Sequence, residues 1–219
     1  MITQAVIFDM DGVIVDTETI WNNVFNEFFR LHGGTFTDEF RAHVMGSSSE
    51  FWSSELKKEL SLGNDWSIQK IADWNLDRVH EEMNINVDLL PGYTEVISLI
   101  KQMDIRLGLA SGATQKNVDF VLNAKGIADD FEVAISSSGV GKPKPAPDVY
   151  LEVAKQMDMD PTHCVGIEDS PNGVRSVIAA AMKCIAIPNE LLSDNNVFSQ
   201  ADVVRKNLSD ITSEDFTIY

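Results

Sequence analysis

The feature that most constrains this chain is a rhythm of short apolar runs without alternation, each followed by a stretch with helical spacing. The runs are Ala5–Phe8, Ile105–Ala110, Val133–Ile135, Cys164–Ile167, Cys184–Ile187 and, more weakly, Val203–Val204. A strand wetted on one face alternates apolar and polar residues, whereas unbroken Val, Ile and Ala mark a strand covered on both faces. Apolar residues fall at helical spacing in Tyr93–Met103, Gln115–Lys125, Asp148–Met157 and Asn172–Met182. Strand and helix in repetition predict an α/β fold, a doubly wound parallel sheet with helices on both faces.

One region breaks the rhythm. Between about Asp16 and Leu89 there are helix patterns and no convincing strand. Ile20, Val24, Phe25, Phe28, Phe29 and Leu31 trace one amphipathic helix, which Gly33-Gly34 ends. Further helices are expected over Asp38–Val44, Ser48–Leu60 and Ser67–Met83. All four tryptophans (Trp21, Trp52, Trp66 and Trp74) lie in this segment, enough for a small core of its own, and Pro91-Gly92 marks the return to the sheet. The organisation expected is an α/β core of residues 1–15 and 91–219, with an all-helical domain of residues 16–90 inserted after the first strand.

Composition narrows the function. The 219 residues are 44% hydrophobic, which suffices for a packed core. A formal net charge of −17 repels nucleic acid and anionic membrane, so neither is an expected partner. The N-terminus, MITQAVIFDMDG, lacks the basic region and long apolar run of a signal peptide, and no window approaches a membrane span. Cys164 and Cys184 sit in apolar stretches with no CxxC pair, which favours buried free thiols over a disulfide or a thiolate zinc site. The four histidines form no spaced cluster. Cytoplasmic location and a monomer are the default expectations.

Chemistry concentrates where the strands end, since ligands of open parallel sheets bind beyond the carboxyl ends of the strands. Asp9-Met10-Asp11-Gly12 follows the first run and Ser111-Gly112 the second. Lys142-Pro143-Lys144-Pro145-Ala146-Pro147-Asp148 comes after the third, and Glu168-Asp169-Ser170 after the fourth. Carboxylates gathered on one edge repel each other without a cation, and magnesium, a hard ion that takes carboxylates, waters and a phosphate, is the natural one. A carboxylate held beside a phosphoryl group can attack it, and a second carboxyl two residues along can protonate the leaving oxygen. A lysine and a hydroxyl can neutralise and orient phosphoryl oxygens, and backbone N–H groups near Gly112, at a helix start, add donors. Singly, each feature has a plain structural account: Asp-Gly as a turn, Ser111 or Glu168-Asp169-Ser170-Pro171 as a helix cap, Lys144 as a solvated loop residue. Their joint placement at successive strand ends favours function.

These residues resemble the haloacid dehalogenase superfamily, in its helical-cap branch of β-phosphoglucomutase-like and sugar-phosphatase members. Four motifs appear in the family's order: DMDGV at 9–13, Ser111, KPAPD at 144–148 and GIEDSPNG at 166–173. The resemblance implies that Asp9 is the nucleophile and a metal ligand. It implies that Asp11 is the general acid and base, with its backbone carbonyl on the metal. Asp169 is implied as a metal ligand, supported by Glu168 directly or through water, and Ser111, Gly112 and Lys144 as phosphate binders. Lys142 competes for the role of Lys144, but only Lys144 precedes Pro-Ala-Pro-Asp. In the cap, Glu18, Trp21, Gly46 and Ser49 are candidate substrate contacts. For Glu18 a helix-start acid is an equal alternative, and for Trp21 the alternative is packing.

The function expected is Mg²⁺-dependent hydrolysis of a small phosphate monoester, a sugar phosphate by the resemblance, through an aspartyl-phosphate. Cap opening would admit substrate and closure exclude water. The rival within the family is a β-phosphoglucomutase-like sugar phosphomutase, but Ser49 stands where its cap arginine is expected, so Arg41 would have to substitute. Phosphonate cleavage would need an imine-forming cap lysine, and Lys57, Lys58 and Lys70 lack that context. The rival of another class is a non-catalytic phosphometabolite-binding protein, against which Asp9, Asp11, Lys144 and Asp169 argue.

Overall fold

The computed structural model describes residues 3–44, 47, 49–86, 88–188 and 196–218, with the side chains of 84–86 left aside. The chain forms two compact units, one of Met1–Asp16 with Asp88–Tyr219, the other of Thr17–Val87. In chain order the elements are β1 (Ala5–Phe8), α1 (Glu18–Leu31), α2 (Asp38–Val44), α3 (Ser49–Glu59), α4 (Ile68–Asn86), α5 (Tyr93–Gln102), β2 (Arg106–Ser111), α6 (Gln115–Lys125), β3 (Val133–Ser136), α7 (Asp148–Gln156), β4 (Cys164–Glu168), α8 (Pro171–Ala179), β5 (Lys183–Ala186) and β6 (Val203–Val204), with short 3₁₀ turns between some of them. Among the described residues no helix is long and apolar enough to cross a membrane.

The first unit is the α/β fold the apolar runs predict. Its six strands are parallel, in the order β3-β2-β1-β4-β5-β6. Every residue of β1 and β4 is buried, which is why those runs do not alternate. The strand limits shift by a residue or so. β5, for instance, begins at Lys183, which pairs with Val165; apolar content does not mark where ladder pairing starts. From β1 the chain builds outward through β2 and β3, then returns to place β4 on the other side of β1. Connections leaving β1 and β4 therefore diverge, and such a switch point is where an open sheet leaves a crevice for a ligand.

Register sets the level at which the strands deliver their last residues. Phe8 pairs with Leu109 of β2 and Ile167 of β4, and the Asp9 N–H donates to the Ile167 carbonyl at 2.9 Å. Asp9, Ala110 and Glu168 thus leave three adjacent strands at one height. After Asp9 the chain turns tightly, with Met10, Val13, Ile14 and Val15 all buried. Val15 bridges to Leu89, and the Leu90 N–H donates to the Ile14 carbonyl at 2.8 Å, so the chain leaves and re-enters this unit side by side. Helix starts are marked by hydroxyls: Thr114 caps α6 by accepting from the Asn117 N–H, and Ser170 caps α8 ahead of Pro171.

The second unit is helical. The apolar positions of α1 recur at helical spacing and bury Ile20, Val24, Phe25, Phe28 and Phe29, each contributing roughly 1.5–3 kcal/mol of transfer free energy. Phe25, Phe28 and Phe29 enter an aromatic core: the Phe28 ring lies 5.0 Å from Trp74 and 5.4 Å from Trp66, and Phe29 lies 5.0 Å from Phe40. Leu31 departs from its expected place on the buried face. It shares the angular position but is the last residue of α1 and is 55% exposed. Period alone does not say how far along a helix its packing partner extends.

Candidate active site

At the common height of the three central strands, Lys144 reaches across from the loop between β3 and α7. Its Nζ donates to Asp9 Oδ1 (2.6 Å), Glu168 Oε1 (2.6 Å) and the Ala110 carbonyl (3.0 Å), one acceptor for each ammonium hydrogen. Glu168 is fully buried, and its carboxylate is held on both sides. Oε1 accepts from Lys144 and from the Tyr150 hydroxyl at 2.8 Å, and Oε2 from the Asp169 N–H (3.2 Å) and the Ser170 hydroxyl (3.2 Å). Oxygens of Asp9, Glu168 and Asp169 all lie within 4.8 Å of one another. Ser111, at the end of β2, donates from Oγ to Asp11 Oδ2 at 3.5 Å and accepts from the Ala113 N–H at 3.0 Å.

Two glycines make this approach possible. Gly12 has φ +77°, open to glycine at no steric cost, and a methyl group there would strike the Asp169 carboxylate. A methyl group on Gly173, in the first turn of α8, would run into the Glu168 carboxyl group.

The electrostatics arise from crowding acids out of water. Burial pushes the Asp9 carboxyl up to about 8; Lys144 pulls against that rise, while Glu168 and Asp11 add to it. Burial, then Glu168 and Asp9, lift Asp169 well above the usual carboxylate range. Lys144 loses hydration, yet the Asp9 and Glu168 carboxylates outweigh the loss and hold its ammonium above the ordinary lysine range. Three converging carboxyl groups against one ammonium would leave a surplus of negative charge once ionised, which is why Asp9 and Asp169 hold their protons when no cation is bound. Hard oxygen donors, with no imidazole or thiolate among them, fit a hard divalent cation. Asp9 and Asp169 are the freer donors, because both oxygens of Glu168 already accept hydrogen bonds within the protein.

Of the residues singled out from sequence, Asp9, Asp11, Ser111, Lys144, Glu168 and Asp169 come together here. Lys142 is exposed, and its N–H donates to Asp148 Oδ1 (3.1 Å). Gly112 lies between Ser111 and Ala113 and faces open space, close to the start of α6, which begins at Gln115 as its spacing predicts. Composition marks the Ser111-Gly112 turn without marking the hydroxyl that caps the helix. In the helical unit Glu18 opens α1, and Ser49 is the exposed first residue of α3. Trp21 packs on Phe25 (5.4 Å) and Trp52 (5.5 Å). Gly46 lies outside the described residues. Sequence reasoning missed Tyr150, the Ala110 carbonyl and the steric need for Gly173. Tyr150 carries only the signal of an aromatic residue two positions after the KPAPD motif, on the buried face of α7.

Residues 6–187 match the family model described as haloacid dehalogenase-like hydrolase. Hexitol phosphatase B of Escherichia coli (strain K12) is 30% identical over 227 residues, covering 96% of this chain and 95% of that protein. β-Phosphoglucomutase of Bacillus subtilis (strain 168) is 28% identical, covering 96% and 92%. The crystal structure of CbbY from Rhodobacter sphaeroides in complex with phosphate superposes with a TM-score of 0.84 at 25% identity, over 99% of each chain.

Proposed function

The chain belongs to the haloacid dehalogenase-like hydrolase family and is a phosphoric monoester hydrolase, and from that premise we propose that it is a magnesium-dependent phosphatase of a small sugar phosphate working through an aspartyl-phosphate on Asp9. The observation that carries this reading is the convergence of Asp9, Glu168 and Asp169 oxygens within 4.8 Å beneath a fully engaged Lys144. An Asp9 carboxylate oxygen attacks phosphorus, and the ester P–O bond breaks as Asp11 gives its proton to the leaving oxygen. Asp11, now a carboxylate, takes a proton from water as that water attacks phosphorus, and the P–O bond to Asp9 breaks to release phosphate. Lys144, Ser111 and the backbone at Gly112 hold the phosphoryl oxygens and stabilise their charge in both steps. Asp9, Asp169 and the Asp11 carbonyl, with Glu168 beside them, would hold Mg²⁺, which neutralises phosphoryl charge and lets the carboxylates gather ionised.

The sugar phosphate rests on relatives named for hexitol phosphates and phosphoglucose. The two buried, unpaired cysteines support a reducing, cytoplasmic setting. The test is phosphate release from a panel of phosphorylated sugars, nucleotides and small alcohols, with and without Mg²⁺, beside Asp9→Asn. Magnesium-dependent release that the variant loses is expected. Interconversion of glucose 1- and 6-phosphates without net release would move the reading to a phosphomutase. No turnover of any compound by a folded protein would move it to a binding protein.

A further inference from the structure

We propose that Tyr150 is a positioning residue for Lys144, its hydroxyl setting how the lysine ammonium is divided between Glu168 and Asp9; this rests on the reading of Lys144 as the cation that meets the phosphoryl group. Tyr150 lies on α7, fully buried, with Lys144 Nζ 5.0 Å from its ring centroid. Its hydroxyl and the Lys144 ammonium donate to the same atom, Glu168 Oε1, at 2.8 and 2.6 Å. Glu168 has no exposure to water, and its other oxygen accepts from the Asp169 N–H and the Ser170 hydroxyl. Among the described residues, two donors meet the charge of Oε1. Without the hydroxyl, Lys144 meets that charge alone and is drawn toward Glu168, away from Asp9 Oδ1, its second carboxylate acceptor at 2.6 Å. Packing does not require the hydroxyl, since phenylalanine fills the same space. A buried hydroxyl carries a desolvation cost that only its hydrogen bond offsets.

The test is Tyr150→Phe in the full chain, which keeps the ring over Lys144 and removes one oxygen. Two readouts are needed: the ¹⁵N resonance of the Lys144 ammonium, assigned by its loss in Lys144→Arg, and steady-state kinetics on the substrate found by the panel. The resonance is expected to move, and kcat to fall about tenfold with KM within about twofold, because the lost hydrogen bond served a charged group. An unmoved resonance, or a wild-type kcat, overturns the proposal. Should wild type turn over nothing, the hydrolase reading fails separately and the resonance alone decides the role of Tyr150. If Tyr150→Phe does not fold, 3-fluorotyrosine placed at 150 strengthens the donor at nearly the same shape. It must shift the Lys144 resonance, and no shift refutes the assignment.

Discussion

Asp9 and Glu168 share one cation: Lys144 Nζ lies 2.6 Å from an oxygen of each, and all three side chains are nearly or wholly buried. Lys144→Met keeps the stem and removes the charge, leaving two buried carboxylates facing each other. Turnover should fall by at least about a hundredfold, on the scale of losing a preorganised charge-stabilising donor. Stability should fall by about 3 kcal/mol at pH 8. At pH 5 Asp9 can take a proton instead, so the loss should shrink. Urea unfolding of wild type and variant at both values checks this; an equal loss at both would mean the pair is not held by Lys144.

The raised affinity of Asp9 for its proton gives a second expectation. Its carboxyl moves from an ordinary 3.8 to about 8 on folding. The stability linked to that proton is full below the unfolded value and is lost as pH rises through the folded one. Without divalent metal, wild type should weaken between about pH 4 and pH 8, and Asp9→Asn should show a flatter profile. Magnesium needs the ionised acid, so its binding should release protons and tighten as pH climbs through the same window. Titration calorimetry in buffers of different ionisation enthalpy reads the proton count. Affinity that does not change with pH would rule out Asp9 as the ligand that gives up the proton.

Much of this arrangement is legible in the sequence because parallel strands announce themselves. Ala5–Phe8 is an unbroken apolar run, and the residues just beyond such a run arrive at the carboxyl edge whatever their tertiary partners. Asp9, Ser111 and Asp169 can be located that way, whereas Lys144, deep in the loop after β3, is picked out only by the KPAPD motif it opens. The bond from Tyr150 to Glu168 cannot, since it depends on which face of α7 turns toward β4. Gly173 is equally silent: in the sequence it is one glycine in SPNG, and only the Glu168 carboxyl beneath it makes its hydrogen side chain matter. Leu31 shows the converse, a residue with the right period that is left more than half exposed.

Gly173→Ala tests that silent contact. A methyl group in the first turn of α8 must push aside the Glu168 carboxyl group, which Lys144, Tyr150 and the backbone hold in place. Helix propensity alone would make alanine more stable by roughly 1 kcal/mol. The collision should reverse that sign, to a net loss of about 1–3 kcal/mol typical of overpacking. Turnover should drop with it, because Lys144 moves when Glu168 does. A variant as stable and as active as wild type would show that the carboxylate has room to yield.

The helical unit carries its own reporter, since Trp21, Trp52, Trp66 and Trp74 all lie within Thr17–Val87. Phe28 is fully buried at the centre of that aromatic core, against Trp66 and Trp74. Phe28→Ala removes the ring and leaves a cavity, at about 3–5 kcal/mol. Tryptophan emission should then report unfolding at a clearly lower denaturant concentration than in wild type. Phe28→Leu retains most of the volume and loses the edge contacts, so its midpoint should fall between the two. If alanine and leucine shift the midpoint equally, the filled volume contributes nothing, and the stabilisation lies in the ring-to-ring geometry.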